Sequence, residues 1–535
     1  MIYTYNQVFL KIFFIFLPFI YSILYAPYGY DGYDTGFILG LSWQFFNDNI
    51  PYKDIIYVRP PISYVFHSIF LYLGNYSIII DRSFFYIQIA IYSFLTIFMF
   101  SKTFDYRNTT FIYFLSIISF MISAHTFPPM AWHTIDGIFF SVIGIFLIIN
   151  FQNTLLVMFG SLIILLGALS KQPYYIVPII ILIFLFIQKE YKKLLICFSS
   201  ICLFLLLFFL YLYQNNAFYE FVIQTTGQTK LRDLIESGFI SYLKSIKDLF
   251  FVFLPPISVY LLLKVFLPKI KIEFFYLIIF WILLFMLNTY LSAKTFYSVA
   301  HNFSHLLFIF STIYILTNLI IFKENKYRLA LLLIIISWAS GISWGYNLTI
   351  FYMAPILFIL AIPILDNFEN KQSLLKMNLI MIFTFVTYYI GYQHPYSLDH
   401  TNNKKEIIYH LEDIFAKAKY IYVDKKTYEE YRELRELTYL YKDNFVVLPA
   451  STLIHFLTNT HNPIGVDWVM NAEINTLKDN IIKNLEKNNT AVILKKSDLN
   501  PDGKFGSEVT NHIYSNWKIK QKGNIFDVYE FKKVY

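Results

Sequence analysis

Long apolar runs separated by short polar breaks repeat from the N-terminus to about residue 393 of this 535-residue chain. A bilayer is crossed by roughly 17–25 consecutive apolar residues in a helix. Runs of that kind fall at 8–27, 83–101, 109–124, 134–151, 154–170, 173–188, 194–213, 248–267, 274–292, 303–322, 328–345, 348–365 and 377–393. The pattern predicts an α-helical polytopic membrane protein with about thirteen transmembrane helices. The first run lacks a basic leading region and a small-x-small cleavage pattern, so it reads as a span and not as a signal peptide. Beyond residue 393 the long runs stop and short periodic segments replace them. Residues 404–418 read as helix, 419–424 (KYIYVD) as strand, 426–440 as helix and 444–448 (NFVVL) as strand. A helix at 472–488, a strand at 490–495 (TAVILK) and a hairpin at 517–531 around Lys522-Gly523-Asn524 complete a small α/β domain. The expected division is a transmembrane catalytic domain over 1–393 and an extracytoplasmic domain over 394–535.

Composition agrees with this division. The chain is 57% hydrophobic and 15% charged, against about 25% charged in soluble proteins, which excludes an ordinary cytosolic enzyme. About half of the Lys, Arg, Asp and Glu lie in residues 394–535, roughly a quarter of the length. Aromatics reach 21%, but Ile, Asn and Lys are abundant too, as in an AT-rich coding sequence, so aromatic clusters alone carry little weight. The two cysteines, Cys197 and Cys202, share one apolar run and offer neither a disulfide framework nor a cysteine zinc site. The net charge of +8 needs no nucleic acid to explain it, because short basic loops account for it: Lys102 and Arg107; Lys189, Lys192 and Lys193; Lys269 and Lys271; Lys323, Lys326 and Arg328; Lys371 and Lys376. Basic loops stay in the cytoplasm. The long loops 28–82 and 214–247 and the C-terminal domain then face outward, across a cytoplasmic (inner) membrane.

The outward loops hold the candidate chemistry. The first, residues 30–74, places Asp31 and Asp34 just after the first span. A helix near 35–47, with Phe37, Ile38, Leu41, Phe45 and Phe46 at helical spacing, is expected to lie in the membrane interface. Pro51-Tyr52-Lys53-Asp54 turns the chain and Arg59-Pro60-Pro61 opens a second short helix. Asp136 begins a later span at its outer end, with His133 one turn earlier. Lys171 lies between two spans on the outer side, against the basic-inside trend, and an ionisable residue at such depth is a functional candidate. Lys294, His301 and His305 follow the ninth span, and Trp344, Tyr346 and Asn347 occupy a tight outer loop. The tail shows no glycine-rich phosphate loop and no nucleophile elbow, and its histidines lack metal-ligand spacing. It reads as a structural or acceptor-docking domain.

Asp34-Thr35-Gly36, Gly40, Asn47, Pro51-Tyr52-Lys53-Asp54 and Pro60-Pro61 together resemble the first outer loop of the GT-C superfamily of lipid-linked-sugar glycosyltransferases. The resemblance is to the bacterial branch with the protein mannosyltransferases and the lipid A aminoarabinose transferase. Gly167-Ala168-Leu169-Ser170-Lys171-Gln172-Pro173 resembles that family's break between two spans. Thr35 departs from it, since an acidic residue often follows the first Asp.

The resemblance implies an inverting transfer of a sugar from a polyprenyl-phosphate-linked donor to a glycan, lipid or protein acceptor at the outer face. It implies Asp34 as base, Asp136 orienting acceptor or base, and Lys171 on the leaving phosphate. Arg59, Lys294 and His301 stand as further phosphate ligands, and Asp31 and His133 as secondary residues. No cofactor is expected to be required, although a divalent ion such as Mg2+ or Mn2+ is compatible with the carboxylates. A polytopic transporter or lipid-linked-sugar flippase is the rival, but it predicts repeated halves with broken helices, and no internal repeat is present. A polymerase or ligase of envelope glycans would need a large late outer loop rich in Arg and His.

Overall fold

The computed structural model describes residues 2–30, 32–106, 108–226, 231–246, 258, 261–262, 265, 296–343, 347–365, 404–474, 476–502 and 506–531. Nine helices lead the chain: α1 (Ile2–Tyr25), α2 (Phe37–Phe46), α3 (Ile62–His67), α4 (Ser77–Thr103), α5 (Thr109–Ala124), α6 (His133–Asn150), α7 (Thr154–Ala168), α8 (Ile176–Ile187) and α9 (Tyr191–Gln214). Helices Phe296–Ile320, Tyr327–Gly341 and Met353–Leu365 follow. Gln7–Tyr25, the continuous run Ile62–Thr103, His133–Asn150 and Tyr191–Gln214 are long and apolar enough to cross a membrane.

The helices sit where the apolar periodicity puts them, within a few residues. Their starts have local causes: Asn108 and Asn153 cap α5 and α7, each side chain accepting from two backbone N–H groups. In α1 the buried residues Leu10, Phe14, Leu17, Tyr21 and Tyr25 recur at helical spacing, while Val8, Phe9, Ile12, Ile15, Phe16, Phe19 and Ile23 are exposed. A helix apolar on both its packed and its open side suits a lipid surround. The expected spans 274–292 and 377–393, and nearly all of 248–267, lie outside the described residues. The predicted span at 83–101 begins earlier. α3 passes through a 3₁₀ stretch, Ser68–Tyr76, with a kink at Gly74, directly into α4.

In the tail, β3 (Phe445–Leu448) pairs in parallel with β4 (Ala491–Lys495), and β4 pairs antiparallel with β6 (Phe526–Glu530), which β5 (Lys518–Lys522) borders antiparallel. Both faces of β3 and β4 are covered, while the edge strand β5 is exposed. Val446, Leu448, Val492 and Leu494 meet Ile481, Leu485, Val509 and Ile513 on one side. Phe445, Val447, Ile493 and Val528 join the large core that also holds Tyr431, Leu434 and the membrane helices. A strand buried on both sides reads as a continuous apolar run, as NFVVL and TAVILK do. The helix predicted at 426–440 is observed as Lys425–Tyr441, capped by Asp424.

Two tail expectations fail. Residues 404–418 are not a helix. Within them β1 (Tyr409–His410) pairs with β2 (Tyr422–Val423). The Tyr422 N–H donates to the Pro27 carbonyl, and the Gly29 N–H donates to that of Tyr422. Backbone pairing with β2, itself held by the segment that leaves α1, overrides the local helical period. The expected helix 472–488 is two pieces, Asn471–Ile474 and Lys478–Asn488, and an unforeseen helix, Glu508–Asn516, is capped by Ser507.

Candidate active site between the first outer loop and the tail

The first outer loop does not lie free at the lipid surface. Phe37 through Gln44 are all buried in α2, which corrects the expectation of an interfacial helix with one wet face. The tail covers its other side. A Cβ on Gly40 would stand 1.8 Å from the Thr452 carbonyl oxygen, so only glycine permits this approach. Trp43 Nε1 donates to the Thr460 carbonyl at 2.8 Å, and Gln44 Nε2 donates to Asp467 Oδ2 at 2.8 Å. Further along, the Ile56 N–H donates to the Gly465 carbonyl; Gly465 has φ +71°, a conformation glycine adopts without strain.

The loop's second half is tied to the break that carries Lys171. The Ile62 N–H donates to the Leu169 carbonyl at 3.0 Å and Gln172 Nε2 to the Val58 carbonyl at 2.6 Å. Gln224, at the end of the helix Phe218–Thr225, accepts from the Tyr57 N–H and donates to the Tyr52 carbonyl.

These ties gather side chains remote in sequence. Arg59 makes a two-pronged ion pair with Glu473 of the tail, Nη1 to Oε2 at 2.8 Å and Nη2 to Oε1 at 2.5 Å. Its guanidinium also lies 5.3 Å from the Phe37 ring centroid. Burial opposes the Arg59 charge, but Glu473, Tyr57 and Asp34 outweigh it and hold the group above its usual range. Lys171 is buried and its Nζ donates to Thr134 Oγ1 at 3.1 Å. Burial, helped by repulsion from Arg59 and opposed by Glu473, pushes Lys171 down to about 7. His133 lies tilted against Trp132, ring centroids 4.5 Å apart, and its Nδ1 is buried without a hydrogen-bond partner among the described residues. Phe37, Tyr57, Val58, Asp467, Trp468 and Glu473 are among the residues lining a narrow open cleft. The indole N–H of Trp468 is likewise buried without a partner. The patch is cationic at Arg59 and Lys171, acidic at Asp34 and Glu473, and walled by aromatic rings.

The predicted residues are distributed as follows. Asp34, Arg59, His133 and Lys171 form one electrostatic neighbourhood. Asp136 is fully buried. Its Oδ1 is 3.0 Å from His67 Nε2 and accepts from Gln88 Nε2 at 2.8 Å, and among the described residues its Oδ2 has no hydrogen-bond partner. Asp31 and Lys294 lie outside the described residues, as do Trp344 and Tyr346. His301 falls in the helix Phe296–Ile320, with its side chain outside the description. His305 packs 4.1 Å against Tyr242 and bonds with Ser245 and Asn347, in a separate knot. Among the described residues no group of three His, Cys, Asp or Glu side chains is disposed to hold a metal ion.

Sequence reading missed Glu473, Asp467 and Trp468, because nothing local ties tail residues to the first loop. It also missed His67, Asp81 and Gln88. Here a signal existed: Asp81 and Arg82 are ionisable residues inside a run that continues unbroken to Thr103.

No protein-family model matches the sequence, and no curated protein matches it. Among solved structures the chain is similar to the oligosaccharyltransferase of Archaeoglobus fulgidus, solved in complex with zinc and sulfate. That similarity has 14% identity and a TM-score of 0.44, over 90% of this chain and 67% of the other.

Proposed function

We propose that the protein is a membrane glycosyltransferase that moves a sugar from a polyprenyl-phosphate-linked donor to an envelope glycan, lipid or protein at the extracytoplasmic face. The observation that carries the reading is the neighbourhood of Asp34, Arg59 and Lys171, from separate segments, at the ends of apolar helices and beside a cleft. A donor with a lipid tail must be met at the membrane face, and its leaving phosphate needs cations. In the reaction, Asp34 takes the proton of the acceptor hydroxyl or amine as that atom bonds to the anomeric carbon. The bond from that carbon to the phosphate oxygen breaks, and the oxygen keeps the electron pair, facing Lys171 and Arg59. Displacement from the opposite side inverts the anomeric centre. Asp136 orients the acceptor, and a divalent ion is not required.

The test compares envelope glycans and lipid-linked sugars, by mass spectrometry, from hosts expressing wild type, Asp34→Asn or nothing. Loss of one sugar, with its polyprenyl-linked precursor accumulating in both mutant and null, is the expected result. A mutant that matches wild type while the null differs overturns the assignment and makes transport the leading reading. Sugar transfer by purified protein in detergent separates the two directly, because transport needs a sealed membrane.

A further inference from the structure

Two ionisable residues that the proposed chemistry leaves unused meet Asp136 in the interior. His67 closes α3, Asp81 lies one turn into α4, and Asp136 lies one turn into α6; none of the three is more than 1% exposed. His67 Nδ1 stands 2.5 Å from Asp81 Oδ1, and His67 Nε2 stands 3.0 Å from Asp136 Oδ1. Asp81 Oδ2 accepts the Ala131 N–H at 3.1 Å. The rings of Phe66 and Phe70 flank the imidazole at 5.1 and 5.6 Å. A neutral imidazole has one N–H, so it can donate to only one of the two carboxylates. The other contact would then set a nitrogen lone pair against an anionic oxygen unless that carboxyl held a proton. An imidazolium donates in both directions and keeps both carboxylates charged and paired, which apolar surroundings demand. Arg82, the neighbouring cation on α4, is turned elsewhere, donating to the Ala26 and Gly29 carbonyls.

We propose that His67 is held as an imidazolium between Asp81 and Asp136 and serves as the positioning residue for the Asp136 carboxylate. Its place at the end of α3 couples the first outer loop to α4 and α6 through one ring. Asp136 Oδ1 is consumed by His67 and Gln88, so Oδ2, buried and unbonded, is the atom left to receive a substrate hydroxyl or amine. The positioning role rests on the transferase reading; the protonation of the ring does not.

The test therefore has two arms on the full-length protein in lipid nanodiscs. The first is nitrogen NMR with labelled histidine, the His67 signals being identified by their loss in His67→Gln. Two protonated ring nitrogens at neutral pH are expected, and a signal from one unprotonated nitrogen overturns the ion triad. The second is transfer kinetics. His67→Gln and the milder Asp81→Asn are expected to lower kcat about 10–100-fold, the scale of a small misplacement in an active site, with KM little changed. Unchanged kcat in both variants overturns the positioning role. A wild-type protein with a doubly protonated ring and no transfer activity overturns the transferase reading, and the kinetic role with it, while the ion triad stands.

Discussion

Lys171 and Arg59 differ in what their surroundings do to them. Arg59 has a carboxylate partner and keeps its charge; among the described residues Lys171 bonds only a hydroxyl, and burial brings it down to about 7. Above that pH the free protein loses the Lys171 charge. For a donor bound through its phosphate, kcat/KM is expected to fall about tenfold per pH unit above 7. Lys171→Arg, charged throughout, should flatten that limb; the same fall in Lys171→Arg would exclude Lys171 as its source. The Arg59–Glu473 pair is nearly fully enclosed, with side chains 12% and 6% exposed. Glu473→Gln leaves a buried guanidinium without its counter-charge, a change that costs about 3–5 kcal/mol. Thermal unfolding in detergent should show a clear drop, and a wild-type melting curve would mean that the pair is solvated in solution.

At the scale of elements, α2 and the tail are held at backbone distance. Gly40→Ala drives a methyl group into the Thr452 carbonyl, so it is expected to separate α2 from the tail and expose the intervening chain to protease; an unchanged digestion pattern would count against this packing. Asp467 belongs to the same interface. Burial raises it from its usual 3.8 to about 7, against the pull of its bonds from Gln44 and Asn462. Between those values the folded state holds a proton that the unfolded state lacks, so stability falls as pH rises, by roughly 4 kcal/mol across the window. Asp467→Asn keeps the shape without the ionisation. Its melting temperature is expected to vary less than that of wild type between about pH 4 and 7, and parallel curves would assign the dependence elsewhere.

For the whole molecule, the basic loops predict a tail outside the cell, and the proposed reaction requires it there. Tyr439 is 75% exposed on the tail helix. In a background with Cys202 replaced by Ser, Tyr439→Cys should react with a membrane-impermeant maleimide on intact spheroplasts. Labelling only after permeabilisation would reverse the orientation. The tail is more than an appended domain. Its sheet face shares a core with the membrane helices, and Glu473, Trp468 and Asp467 line the cleft. The sequence reading of a structural or acceptor-docking domain did not include this shared core.

Periodicity within a segment was enough to locate α1, α4 to α9, the tail helix Lys425–Tyr441 and the strands β3, β4 and β6, because an apolar face of fixed spacing must be buried wherever the segment ends up, while the turn at Lys522-Gly523-Asn524 located the exposed β5. The unusual residues of the outer loops, Asp34, Arg59, His133 and Lys171, were legible for a related reason: charge and histidine are costly beside a membrane and stand out where they occur. Contacts between segments were not legible. That Tyr409 and His410 would pair as strand with β2, and β2 with the chain leaving α1, that Arg59 would find Glu473 more than four hundred residues away, and that His67 would bridge Asp81 and Asp136 follow from how elements pack. A hydrogen bond or ion pair depends on distance in space, and local sequence period carries no record of that distance.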